Sequence, residues 1–273
     1  MRTSLLMLLV VAQARAATPE VDPAIDALNE HHRHHQHGGI TQFVEMSLDT
    51  LGEDEAHRPA VEKAQDALGD CMAGPEEKET VVITAVADGV AAGTVDAVKV
   101  KAAIEQLRAA AEAIHGCVAP PMNELHAALA PIERAELGDK VRAHWAVWKE
   151  ENHTKDPSGQ TPGSRLGDLA RQLSLTPDQV AKMAAALKGA FAKNEFQPEA
   201  IHKAVDAFAV AFAGEKFDAT SVTSNTTAAL AVQGASHMAR FYETITPLLT
   251  AEQRTQLAAH LREHANHNPT ASN

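Results

Sequence analysis

Apolar positions along the chain recur mostly at helical spacing. Val82, Val86 and Val90 stand four apart between Glu76 and Ala92, which predicts a helix there. Thr80 to Val86 alone would also fit a strand, but the flanking Glu and Lys residues and the Ala run favour helix. Upstream, Ile40 to Leu48 reads as a short helix with Phe43, Val44, Ser47 and Leu48 facing inward. Leu51-Gly52-Glu53-Asp54-Glu55 opens a second helix that ends near Gly69-Asp70, and Gly74-Pro75 breaks the chain. After Gly93-Thr94 the pattern is helical from Val95 to Val118, until Pro120-Pro121 kinks or ends it. Pro131 starts a helix with Trp145 and Trp148 on one face. Residues 152–163 hold little apolar content and two prolines, and read as a linker at a domain boundary. Beyond it come Leu166 to Leu173, Thr176 to Ala192, Pro198 to Ala213 and a last helix from about Leu249. The expectation is an all-α protein, and the scarcity of aromatics with abundant Ala agrees.

The two sides of the linker repeat. Leu129, Arg134, Leu137, Arg142 and His144 recur as Leu249, Arg254, Leu257, Arg262 and His264, at a constant offset of 120. Pro198 to Ala213 matches Pro75 to Ala92, and Phe217-Asp218-Ala219 matches Val95-Asp96-Ala97. This predicts two tandem repeats of a four- to five-helix unit, residues 40–151 and 164–268, with a short tail at 269–273.

Two helix starts share one five-residue pattern, Leu175-Thr176-Pro177-Asp178-Gln179 and Leu249-Thr250-Ala251-Glu252-Gln253. The Thr hydroxyl can accept from the backbone N–H three residues on, and the Gln side chain can reach back to the Thr N–H. Pro177 suits a first helical position, and Asp178 and Glu252 face the positive end of the helix dipole. In the first repeat Ala130 and Glu133 stand where the second has Thr250 and Gln253, a weaker cap. L-T-x-x-Q twice in such a chain resembles the LTxxQ-motif family of periplasmic proteins, which holds Spy-like and CpxP-like stress chaperones and a zinc-resistance-associated branch. The match is better from about Gly163 to Asn268, where both motif copies lie. The resemblance implies a small helical protein that pairs into a curved cradle and holds unfolded clients without ATP. Two units on one chain then imply an intramolecular pseudo-dimer.

Residues 1–16 read as a secretory signal. Arg2 precedes the apolar run Leu5 to Val11, and Ala14-Arg15-Ala16 is an A-x-A cleavage site. That run is shorter than the roughly 20 residues a membrane span needs, so an exported, periplasmic protein is expected. Residues 17–39 form a flexible tail with His31, His32, His34, His35 and His37, which suits Zn, Ni or Cu without fixed geometry. His260, His264 and His267 share one face of the last helix and offer a second, incomplete set of metal ligands. His57, His115, His126, His202 and His237 stand alone and read as structural or surface residues.

Charge changes the picture of partners. Residues 17–154 carry 11 Lys and Arg against 25 Asp and Glu, a net of −14, whereas residues 155–273 carry 11 of each. An acidic first repeat argues against nucleic acid and anionic membrane surfaces. Cys71 and Cys117, each at the end of an expected helix, read as a disulfide in an oxidising compartment; free thiols, or a zinc site with His115, are the alternatives. No Gly-rich phosphate loop, G-x-S-x-G or H-E-x-x-H is present, so nothing points to an enzyme and no cofactor is required. Two functions remain: a chaperone-like holdase for envelope proteins, or a binder or sensor of zinc or another divalent metal.

Overall fold

The computed structural model describes residues 40–51, 55–153, 165–192, 198–222 and 226–266. The signal segment, the His31–His37 tract, most of the linker and the C-terminal tail, with His267, lie outside the described residues. Every regular element among those described is helical. In chain order these are α1 (Ile40–Leu48), α2 (Arg58–Ala92), α3 (Ala97–Ala128), α4 (Pro131–His153), α5 (Arg165–Gln172), α6 (Pro177–Ala190), α7 (Pro198–Ala213), α8 (Ala219–Val222), α9 (Thr226–Ile245) and α10 (Ala251–Asn266). A 3-10 turn, Thr246–Leu248, joins the last two.

The prolines inside the first half do not act as breaks. Helix α2 runs unbroken for 35 residues through Gly74-Pro75, and α3 runs for 32 through Pro120-Pro121. An internal proline removes one backbone hydrogen bond and costs about 3 kcal/mol in an isolated helix. Here α2 and α3 pack against each other, Pro75 is itself buried, and Cys71 of α2 is bonded to Cys117 of α3; together these offset the lost bonds. The start of α2 also differs from the sequence expectation. Its N-cap is His57, not a residue of Leu51–Glu55, and Pro59 sits in its first turn, where the missing N–H costs nothing. The turn into α3 closes at Gly93, whose φ of 87° suits only glycine. There the Thr94 N–H donates to the Gly89 carbonyl at 3.0 Å and the Gly93 N–H to Val90 at 3.1 Å. Asp96 then caps α3, accepting from the Val98 and Lys99 N–H groups. Asp218 does the same for Thr220 ahead of α8.

At 1.5 Å per residue α2 is roughly 50 Å long, enough to serve two cores. One core joins α1, the front of α2 (Val61, Leu68), the back of α3 (Val118, Met122, Leu125) and α4 (Leu137, Val141, Trp145) to Ile201, Val205, Phe208 and Phe212 of α7 and to Ala219. The other joins the back of α2 (Val82, Val86, Val90) and the front of α3 (Val100, Leu107) to α5, α6, the end of α9 and Leu257 and Leu261 of α10. Each core therefore takes side chains from both sides of the linker, and all described residues belong to one compact unit. The contacts are reciprocal: α4 lies on α7 and α10 lies on α2, while α3 lies on α9. At the α4–α7 crossing a Cβ on Gly138 would stand 3.0 Å from the Ala209 carbonyl oxygen, so the helices approach at backbone distance there.

One half-buried carboxyl makes stability depend on pH. Glu45 of α1 has its pKa pushed up to about 7, first by burial and then by the nearby charges of Glu76 and Asp49. A carboxyl with a raised folded-state pKa binds more protons folded than unfolded, so its favourable contribution is complete below about pH 4.5 and is lost as pH rises through 7. Denaturant titrations from pH 5 to pH 8 should show falling stability, and Glu45→Gln should flatten that slope and gain about 1–2 kcal/mol at pH 8, allowing for residual solvent screening. Equal slopes in both proteins would refute this account of Glu45.

Candidate functional site

The two five-residue boxes meet. Thr176 and Thr250 each accept from the backbone N–H of the glutamine three residues on, at 3.2 Å, and each glutamine Oε1 accepts from its threonine N–H at 3.0 Å. The glutamines then do more than cap their own helices. Gln179 Nε2 donates to Gln253 Oε1 at 2.8 Å and Gln253 Nε2 returns to Gln179 Oε1 at 3.3 Å. Each also crosses to the approach of the other box, Gln179 to the Leu248 carbonyl at 3.2 Å and Gln253 to the Leu173 carbonyl at 3.4 Å. Only a primary amide can accept from its own cap and donate across the joint at once, which gives a physical reason for Gln rather than Glu at this position. Leu249 is buried and Leu175 is packed against the same core, so the leucines anchor the joint from below.

The first half builds the corresponding joint with different chemistry. Glu133 Oε2 accepts from the Ala130 N–H at 2.6 Å, closing half a capping box. A carboxylate has no proton to donate across, and the group facing it is a donor: His57 Nδ1 lies 3.0 Å from Oε1 and 2.8 Å from Oε2. Glu133 is almost fully buried. His57 is thus the N-cap of α2 and the partner of Glu133 on α4: it serves a structural role, but it does not stand alone as expected. Its signal in the sequence is indirect, because Glu in the glutamine position calls for a donor opposite.

Two arginine pairs repeat the reciprocity. Arg134 Nε donates to the Leu129 carbonyl at 2.9 Å and Arg254 Nη1 to the Leu249 carbonyl at 2.9 Å. The Arg254 guanidinium rests against Gly93, in the α2–α3 turn, and Arg134 Nη1 reaches the Gly214 carbonyl, in the α7–α8 turn, at 3.4 Å. Further along, Arg142 pairs with Asp206 of α7 at 3.0 Å and Arg262 with Asp88 of α2 at 2.9 Å. Hydrogen bonds from Lys99 and Arg262 hold the Asp88 carboxyl below its usual range. The buried His126 ring stacks on Phe217 and donates from Nε2 to the Gly214 carbonyl at 2.9 Å.

Cys71 and Cys117 are bonded to each other, with their Cα atoms 5.8 Å apart. Both lie inside helices rather than at helix ends, so the bond staples α2 to α3, and no thiol is left for a zinc site with His115. Among the described residues no group of three His, Cys, Asp or Glu is placed to hold a metal ion. His260 and His264 are exposed one turn apart on α10. No described helix is long and apolar enough to cross a membrane. Exposed aliphatic side chains remain at Val81, Val98, Ile132 and Val210. An open depression of about 380 Å³ lies between α2 and α3, lined by Thr80, Val81, Thr84, Lys99, Ala102 and Gln106. No family model, curated protein or solved structure matches the chain.

The joint makes a quantitative prediction. Thr176→Ala and Thr250→Ala should each lower stability by about 1 kcal/mol, the usual loss for an N-cap. Gln179→Ala and Gln253→Ala should cost about 1–2 kcal/mol each, because each leaves a partner amide unsatisfied. The double glutamine variant should cost less than the two singles added, by about 0.5 kcal/mol or more. Strict additivity in urea titrations would show that the amides do not act on each other.

Proposed function

We propose that the protein is an exported, ATP-independent holdase of the LTxxQ type, built as a tandem duplication whose two copies close on each other as an intramolecular pseudo-dimer. The observation that carries this reading is the crossed glutamine joint, which gives the motif a role in assembling the scaffold. The reciprocal arginine pairs and the two cores drawn from both sides of the linker support the duplication. Clients would be unfolded or stressed envelope proteins, held on aliphatic surface such as Val81, Val98 and Val210 rather than processed chemically. The acidic first copy favours basic clients over acidic ones. A second reading, binding or sensing of zinc or another divalent metal, is favoured by the exposed His260 and His264 with the His31, His32, His34, His35 and His37 tract; His267 would add a third ligand to the α10 pair. The mature protein should suppress aggregation of a reduced, unfolding client at near-stoichiometric ratio, equally with and without chelator. Suppression that vanishes with chelator, or micromolar zinc binding with no suppression, would favour the metal reading.

A further inference from the structure

The disulfide sits where both of its helices are weakest. Pro75 supplies no N–H to the carbonyl four residues before it, which is that of Cys71. Pro121 withholds the same bond from the carbonyl of Cys117, and Pro120 from that of Gly116. Gly74 and Gly116 add the poor helix propensity of glycine at the same level. On the other side of the linker the equivalent stretch is not one helix: α6 stops at Ala190, and α7 begins at Pro198, the counterpart of Pro75. There the α6–α9 pairing is bridged by the Phe191 ring on His237, 4.4 Å apart, with no covalent bond. So the half with a disulfide has continuous helices through its prolines, and the half without one has a break. The bond is also reachable, since Cys71 is buried but Cys117 is exposed.

We infer that the Cys71–Cys117 bond is the latch of a redox-gated hinge: oxidised, it holds α2 continuous through Gly74-Pro75; reduced, it lets α2 divide there as α6 and α7 do, freeing residues 58–74 to move while α1 stays seated mainly on α4. The reductant is a small dithiol. Its thiolate attacks the sulfur of Cys117, the exposed residue of the pair, and Cys71 leaves as thiolate. The second thiol of the reductant then closes its own disulfide, releasing Cys117, so that two electrons and two protons pass to the protein. The opened hinge exposes the Leu68 and Met72 face, which the oxidised protein keeps in its first core. The gate does not depend on the holdase reading and is tested without a client.

The test is hydrogen exchange of the full mature chain, oxidised and after dithiothreitol. On reduction, amides of residues 69–80 should exchange roughly 100-fold faster, while Val82 to Val90, held against α10, keep their protection. An apolar dye should bind the reduced form more strongly. Pro75→Ala, assayed reduced, should restore slow exchange through residues 71–79. Unchanged exchange on reduction would overturn the hinge. So would a uniform loss of protection along α2 and α3, or a reduced Pro75→Ala variant as labile as the reduced parent.

Discussion

Cutting the chain between His153 and Arg165 should leave a tight one-to-one complex of two fragments, and neither fragment should fold alone as a stable monomer. The first core loses Ile201, Val205, Phe208 and Phe212 if the second half is absent. At about 1.5–3 kcal/mol for each large apolar side chain, that is roughly 6–12 kcal/mol, comparable to the whole stability of an ordinary domain. The second core suffers in the same way without Val82, Val86 and Val90. The ion pairs Arg142–Asp206 and Arg262–Asp88 also span the cut, but they are solvent-exposed and add specificity more than stability. A protease site engineered into residues 154–164, followed by size exclusion and circular dichroism of the nicked chain and of each purified fragment, checks the result. Two independently folded fragments that separate on the column would show that the shared cores are not needed.

Much of this arrangement is legible in the sequence, but only its local part. A capping box is written in five residues, so the chemistry of Thr176 with Gln179 can be argued before any fold is known. The spacing of Val82, Val86 and Val90 likewise identifies a buried helix face. Prolines mislead for the same reason that boxes inform. Pro75, Pro120 and Pro121 report a local preference to end a helix, and in α2 and α3 that preference is overridden by packing between distant segments together with the Cys71–Cys117 bond. Continuing α2 through Gly74-Pro75 places Cys71 in mid-helix, and continuing α3 through Pro120-Pro121 does the same for Cys117.

The crossed joint was not legible, because Gln179 and Gln253 are 74 residues apart and each already has a local role. A side chain that satisfies a nearby need gives no hint of a second, distant partner. The partner of His57 is hidden in the same way: Glu133 is 76 residues away, and His57 lies outside any motif. What could have found both is the comparison of the two halves. Gln253 and Glu133 occupy matching positions, one able to donate and the other not, so their partners must differ in kind. The sharing of cores is a further step removed, since a pattern that recurs along the chain fits separate packing units as well as shared cores. The length of α2 and α3 gives the physical reason for the shared cores: an unbroken helix of roughly 50 Å outruns one small core, and residues from both sides of the linker cover it.

That sharing should make the two halves unfold as one. Phe208 is fully buried in α7, stacked on Phe212 with ring centroids 5.5 Å apart and packed edge-on against Phe217 at 6.0 Å. It belongs to the second half of the sequence yet sits in the core of α1, α3 and α4. Phe208→Ala should cost about 3–5 kcal/mol, the range for removing a buried aromatic ring and leaving part of its cavity unfilled. The diagnostic is where that loss is felt. If the cores are shared, hydrogen exchange should accelerate at Leu137, Val141 and Trp145 of α4 and at Val118 and Met122 of α3, all from the first half. It should accelerate also at Leu257 and Leu261 of α10, because α2 and α3 carry the loss from one core to the other. A single denaturation transition, with one midpoint for all these amides, is the expected result. Acceleration confined to α7, α8 and α9, with α4 still protected at the level of the parent protein, would mean that the halves hold their structure separately and that the shared core contributes little to cooperativity.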